Sequence, residues 1–286
     1  MQNQKARSWG LFIILALLWG SSFILMKEGA KQLTGWQIGA IRILSAAVVF
    51  LPFAIAAVRK VPSSKLPLIV LTGILGNLFP AFLFGIAIQQ KIQSSLAGIL
   101  NSLTPLFVIV IGALFFKKLV PAKKVVGVLI GFGGLVLLSI SKGPVTLSEI
   151  GFTLLILLAT LFYGLNVNII TTYLKDVDPF RMATISIASL LLPTLVVLAL
   201  HPVSLDTAAV QQSVFACVAL GILSSSVATA LYYILIKKAG GLFASLVTYA
   251  VPVVAIFWGV LFGEEIGPLQ VGCLGVILGG VYLANR

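Results

Sequence analysis

The stretch AGILNSLTPLFVIVIGALF at residues 97–115 returns as ASLVTYAVPVVAIFWGVLF at residues 244–262. An offset of 147 residues sets Ala97 on Ala244, Pro105 on Pro252, Ile109 on Ile256, Gly112 on Gly259 and Leu114-Phe115 on Leu261-Phe262. After a slip of one residue, an offset of 146 lays Gly133-Gly134 on Gly279-Gly280. A unit written twice at this length in an apolar chain points to a membrane protein built by duplication. Such proteins are mostly carriers that hold their substrate between the halves.

Composition agrees. Of 286 residues 60% are hydrophobic and 9% charged, and the mean hydropathy is +1.16, whereas a soluble domain carries about 25% charged residues. A net charge of +12 would point to nucleic acid in a soluble protein. Here the basic residues sit in loops between apolar runs, so they read as topology signals and the partner is the lipid bilayer, not nucleic acid. Cys217 and Cys273 both fall inside apolar segments and read as small buried hydrophobes. No metal and no cofactor is expected.

A helix needs about 20 apolar residues to cross the hydrocarbon core. Ten stretches meet that need: Trp9–Met26, Gln37–Val58, Leu66–Ile88, Ser94–Phe116, Pro121–Ile140, Ile150–Tyr173, Phe180–Leu200, Val214–Ile236, Leu242–Phe262 and Gly267–Ala284. With the amino terminus in the cytoplasm, fourteen Lys and Arg fall on the inner side, four on the outer side (Lys27, Lys31, Lys91, Lys142), and Arg42 within a span. Both termini are then cytoplasmic. Five spans per half is an odd number, so the second half enters the membrane from the opposite side. The expected architecture is all-α, ten transmembrane helices in two inverted five-helix repeats, residues 1–143 and 144–286.

No Asp or Glu lies deep in a span. Glu28, Glu149, Asp206, Glu264 and Glu265 flank outer ends, and Asp176 and Asp178 lie in an inner loop. Buried carboxylates are the usual proton relays of pumps, so their absence argues against a buried-carboxylate antiporter. Arg42 is the only basic residue well inside a span. It either snorkels to water, tethers its helix, or contacts a substrate anion. Pro105 and Pro252 are expected as mid-helix kinks, each freeing the carbonyl four residues earlier, on Asn101 and Thr248. In lipid a freed carbonyl needs a partner or a cavity. Trp19, Ser22, Asn77, Thr104, Tyr163, Asn166, Thr229 and Tyr249 also sit mid-span. Singly such residues are interhelical glue. Together with Asn101 and Thr248 they could form a neutral, aromatic substrate site suited to a zwitterion or a moderately apolar metabolite. The glycines of the last helix in each half form small-residue faces, read as internal packing or as the seam of a homodimer.

The start Leu18-Trp19-Gly20-Ser21-Ser22-Phe23, the early Arg42 and the paired Pro…Gly-x-Leu-Phe blocks followed by glycine-rich last helices resemble the drug/metabolite transporter superfamily, in its EamA branch. The resemblance implies a ten-helix carrier of the bacterial inner membrane that exports small metabolites, often amino acids or related compounds. One departure is visible. The family commonly ends the fourth helix of each unit with Gly-Glu; the second copy has Gly263-Glu264, but the first has Phe116-Lys117-Lys118. The alternatives are a channel-like facilitator or multidrug efflux carrier and, further off, an integral-membrane enzyme. No filter sequence or charged ring marks a channel, and no nucleophile–base pair or metal-ligand set marks an enzyme.

The charge asymmetry generates a test. Reporter fusions at Arg286 and within the 142–149 loop are expected to report opposite sides of the membrane, with Arg286 inside. An outer signal at Arg286 would refute the inverted arrangement.

Overall fold

A computed structural model describes residues 2–90, 100–140, 150–261 and 267–285, and among them every regular element is helical. Ala97, Phe262, residues 263–265 and residues 141–149 lie outside the described residues. The first part of the chain forms α1 (Gln2–Gly29), α2 (Gly35–Val58), α3 (Leu66–Gly73), α4 (Phe79–Gln89), α5 (Thr104–Phe116) and α6 (Ala122–Ile140). It continues with α7 (Ile150–Tyr173), α8 (Pro179–Ala188), α9 (Leu191–Leu200), α10 (Ala208–Leu220) and α11 (Ala228–Ala239). The short α12 (Gly241–Ser245), then α13 (Val247–Leu261) and α14 (Pro268–Asn285), complete it.

Six continuous helical stretches are long and apolar enough to cross a membrane: Ala6–Gly29, Gly35–Val58, Ser63–Gln89, Leu154–Tyr173, Pro179–Leu200 and Ala208–Ala239. Shorter apolar helices cover Thr104–Phe116, Gly241–Val254 and Val271–Ala284. The protein is a multi-pass membrane protein.

Helix ends follow local chemistry. Thr34 and Gln37 form a reciprocal capping box at the start of α2: Gln37 N donates to Thr34 Oγ1 at 3.3 Å and Thr34 N to Gln37 Oε1 at 2.9 Å. Asp178 caps α8 by accepting from Arg181 N at 3.0 Å, with Pro179 at the position that has no donor to lose. Gly240, at φ 86°, takes the left-handed conformation that ends α11.

Polarity runs opposite to a soluble protein. Val48, Leu51, Phe53, Ile55, Leu192, Leu200 and Phe215 are exposed, while Asn77, Asn166, Asn168, Ser225, Thr229 and Thr248 are buried. Hydrocarbon accepts the first set, and the second must find partners inside. Asn168 does so fully: its Nδ2 donates to Val108 O at 3.0 Å and Gly164 O at 2.9 Å, and its Oδ1 accepts from Lys118 Nζ at 3.0 Å. Those bonds pin α5 against α7. Glu28 is a half-buried ion-pair partner of Lys31 at 2.7 Å, the ordinary role for a helix-end acid.

α2 runs through the centre, packed by α4, α8, α9 and the Gly221–Val227 turn; α1 lies against α10, α11 and α13. α6 and α14 pack on each other along small residues. A β-carbon at Gly280 would fall 2.5 Å from the Gly131 Cα, and one at Gly127 2.8 Å from the Ala284 Cα. Half of the glycine face is therefore internal packing. Gly133, Gly272, Gly275 and Gly279 have no neighbour within 4 Å of such an atom.

One of the two proline readings is corrected. Pro105 does not bend a continuous helix. It lies in the first turn of α5, after a break at Ser102–Leu103. A first-turn proline loses no helical bond, and the Asn101 carbonyl accepts from Thr104 Oγ1 at 2.7 Å. Pro252 lies inside its helix as expected, and the freed Thr248 carbonyl has a partner: Ser102 Oγ donates to it at 3.0 Å.

The adjacent glycines of α14 give a matched pair. Gly280→Val is expected to destabilise the protein by about 1–3 kcal/mol through overpacking against the α6 backbone. Gly279→Val, in open space, should leave the melting temperature of the purified protein within error. Equal losses at both positions would mean that the α6–α14 contact is not what the substitution disturbs.

Candidate functional site

Nine of the residues read from the sequence as site candidates, together with Arg42, line one internal cavity of about 80 Å³. At about 10–15 Å³ per water position that is room for roughly half a dozen waters. α1 supplies Trp19, Ser22, Phe23 and Met26; α2 supplies Arg42; α4 supplies Phe84. Asn101 and Thr104 flank the break before α5, Tyr163 and Asn166 come from one face of α7, Thr229, Tyr232 and Tyr233 from α11, and Thr248 and Val251 from α13. The wall is mixed, with amide, hydroxyl and aromatic groups and a single guanidinium.

Local bonds hold the lining in place. Trp19 Nε1 donates to Ser224 O at 3.1 Å, and Ser22 Oγ to Trp19 O at 2.6 Å. The Trp19 and Tyr232 rings meet at 5.0 Å between centroids. Thr229 Oγ1 donates to Asn77 Oδ1 at 3.1 Å, and Thr248 Oγ1 to Ser245 O at 2.9 Å. Arg42 points inward and not to the outer surface: its Nε donates to Ser225 Oγ at 2.7 Å. Among the described residues no carboxylate pairs with it; the two ion pairs are Lys31–Glu28 and Lys65–Asp176. Two buried amide oxygens, Asn101 Oδ1 and Asn166 Oδ1, have no hydrogen-bond partner. A buried acceptor left unmade costs about 1–3 kcal/mol, so both are open to a donor arriving from the cavity.

Tyr249 is not part of this lining. It is fully buried, and its hydroxyl donates to Val128 O at 2.8 Å, fastening α13 to α6. A tyrosine in a span has two uses for its hydroxyl, and the sequence does not separate them. Phe23, Met26, Phe84, Val251 and Tyr233 line the cavity without having been singled out. An apolar side chain in an apolar span carries no mark of facing a cavity or lipid. Gly76 was equally silent.

A second feature gives the cavity its shape. Ile74–Leu78 and Gly221–Val227 are π-helical turns, joining α3 to α4 and α10 to α11. They begin 147 residues apart (221 minus 74), the same offset as the repeat. Asn77 of the first and Ser224 of the second, also 147 apart, both reach the cavity. A π turn inserts one extra residue and often marks a functional position. Gly221 lets the second turn sit against α2, because a β-carbon there would clash with Arg42 O and Ser45 Oγ.

A helical bundle with an apolar outer surface and a polar, arginine-bearing cavity inside has the build of a membrane transporter. The chain belongs to the EamA-like transporter family, whose sequence profile it matches twice, over residues 7–140 and 151–286. This is consistent with the drug/metabolite transporter superfamily. It is 24% identical over 285 residues to an uncharacterized transporter of Archaeoglobus fulgidus, covering 98% of this chain and 99% of that one. It is 27% identical over 267 residues to the uncharacterized transporter YdfC of Bacillus subtilis, covering 92% and 86%. With the uncharacterized inner membrane transporter YedA of Escherichia coli K12 it shares 25% identity over 286 residues, covering 97% and 90%. A solved structure titled "Crystal structure of protein" superposes with a TM-score of 0.75 over 98% of this chain and 96% of that one, at 17% identity. That likeness speaks for the fold.

Ser102 is fully buried and serves the Thr248 carbonyl across the cavity wall. Ser102→Ala is expected to lower stability by about 1–3 kcal/mol, read as a fall in melting temperature. An unchanged melting temperature would mean that another donor serves that carbonyl.

Proposed function

We propose that the protein is a secondary carrier, working as an exporter, for small carboxylate-bearing metabolites of the amino-acid class. In this reading ten helices form two inverted five-helix units, residues 1–143 and 144–286, that alternate access to the central cavity, with both termini in the cytoplasm of a bacterial inner membrane. The observation that carries the substrate class is Arg42: an inward guanidinium in a span, hydrogen-bonded to Ser225, with no carboxylate partner among the described residues. A charge held in low dielectric is tolerated when paired, and a substrate carboxylate supplies the missing charge. An ammonium group would then satisfy Asn101 Oδ1 and Asn166 Oδ1, the two amide oxygens without a partner among the described residues. Trp19, Phe23, Phe84 and Tyr163 offer aromatic faces to the rest of the molecule. A volume of about 80 Å³ suits a small metabolite better than a large drug. The export direction follows the family likeness. The bilayer, a small solute and, as a homodimer, a second copy of the chain are the partners in this reading.

Equilibrium binding to the purified protein tests the assignment, using a panel of α-amino acids, their methyl esters and the corresponding amines. The acids should bind, and the esters and amines should bind more weakly. Arg42→Gln, which removes a charge-assisted bond, is expected to weaken acid binding about 10- to 150-fold, and Asn101→Ala about 2- to 12-fold. Both variants must remain folded by size-exclusion chromatography. Esters that bind as tightly as acids, or acid binding indifferent to Arg42→Gln, would end the carboxylate reading.

A further inference from the structure

Tyr233 belongs to two cavities. Beside the central one lies a vestibule of about 220 Å³, walled by residues at the adjoining ends of α7, α8 and α11 and by the 174–178 loop. Tyr233 is the one residue that both linings share among those described. It is 1% exposed, so its ring fills the space between the two. Its buried hydroxyl makes no well-aligned hydrogen bond, and Thr72, Asn77, Asn166 and Ser186 stand around it as weak polar contacts. A tyrosine held by packing and by weak polar contacts can swing aside without breaking a well-formed hydrogen bond.

The vestibule has a charged rim over an apolar wall. Ile170, Leu174, Val177, Met182 and Ile236 form the wall, and Lys175 and Lys237 stand at the rim, both exposed. The nearby acids are engaged elsewhere. Asp176 pairs with Lys65, whose ammonium holds that carboxyl below its usual range, and Asp178 caps α8. Lys118 reinforces the sign from behind, with its ammonium bonded to Asn168 Oδ1 at 3.0 Å and to Thr171 Oγ1, itself a lining residue, at 2.6 Å. A cleft with like charges at its mouth and low-dielectric walls concentrates counter-ions.

We propose that Tyr233 is the gate between the central cavity and this vestibule, and that the vestibule is a second, transient site where Lys175 and Lys237 gather carboxylate-bearing solutes. The inference rests on the central cavity being the transport site. Its first tests use no substrate, so their failure is separate from failure of the substrate class.

The probe is sulfonatoethyl methanethiosulfonate, a small anionic thiol reagent, applied to the full chain carrying Cys217→Ala and Cys273→Ala in membrane vesicles, from the side that bears Lys175 and Lys237. Asn101→Cys reports the central cavity and Met182→Cys the vestibule. Met182→Cys is expected to react, and Asn101→Cys to react slowly while Tyr233 is present. Tyr233→Ala, or Tyr233→Leu if the alanine variant does not fold, should accelerate modification of Asn101→Cys about 10-fold or more, and Tyr233→Phe should leave it slow because the ring does the blocking. Lys175→Gln with Lys237→Gln should slow modification of Met182→Cys several-fold at low salt and remove its salt dependence, with no effect on a neutral reagent of the same size. With a transported amino acid in hand, the double lysine variant should raise KM and leave the central affinity measured in detergent unchanged. Unaltered modification of Asn101→Cys in both folded Tyr233 variants would overturn the gate. Modification of Met182→Cys indifferent to the two lysines would overturn the gathering site.

Discussion

A polar atom inside a bilayer has no water to turn to, and that single condition organises this molecule. The backbone meets it by closing into helices. The side chains meet it in pairs that join one helix to another: Asn168 to the carbonyls of α5 and α7, Ser102 to the carbonyl of Thr248, Tyr249 to that of Val128, Trp19 to that of Ser224. All but the Asn168–Gly164 bond, which lies within α7, tie segments far apart in sequence, and each replaces an unmade bond that would cost about 1–3 kcal/mol. Bundle cohesion comes from satisfying polar groups as much as from apolar packing, because lipid is as apolar as leucine.

The exceptions to that rule gather where function is expected. Of the four buried side-chain atoms without a well-formed bond among the described residues, Asn101 Oδ1, Asn166 Oδ1 and the Tyr233 hydroxyl belong to residues that border the same cavity, and Thr172 Oγ1 does not. Arg42 adds a positive charge to that wall. A carrier must bind its solute and release it again. A wall whose unmet bonds are few and neutral, with one full charge, suits reversible binding better than a densely charged site.

Much of this was legible in the sequence, for a physical reason. A polar residue in a span is costly enough to need an explanation, so Trp19, Ser22, Asn77, Asn101, Thr104, Tyr163, Asn166, Thr229 and Thr248 stand out, and all of them line the cavity. Where an identical residue type serves two purposes the reading fails. Tyr249 looked like its neighbour Thr248 but fastens helices. Pro105 looked like a kink, because a proline in mid-span reads alike whether it bends a continuous helix or opens a new one after a break such as that at 102–103. Phe84 and Val251 gave no signal, since an apolar side chain is equally at home against lipid and against a solute. The π turns were invisible for a related reason: one extra residue in a helix leaves the hydropathy of the segment unchanged.

Those two turns also carry a date. A one-residue insertion is awkward to acquire twice, at the same place, in two stretches of chain that have since lost most of their sequence likeness. The economical history has it arise once, in an ancestral half, before the coding sequence was doubled. The descendants then changed nearly everything around it, Asn77 on one side and Ser224 on the other, and kept the irregular turn itself. On that history the irregularity is older than the present protein, and older than whatever solute the present cavity has come to fit.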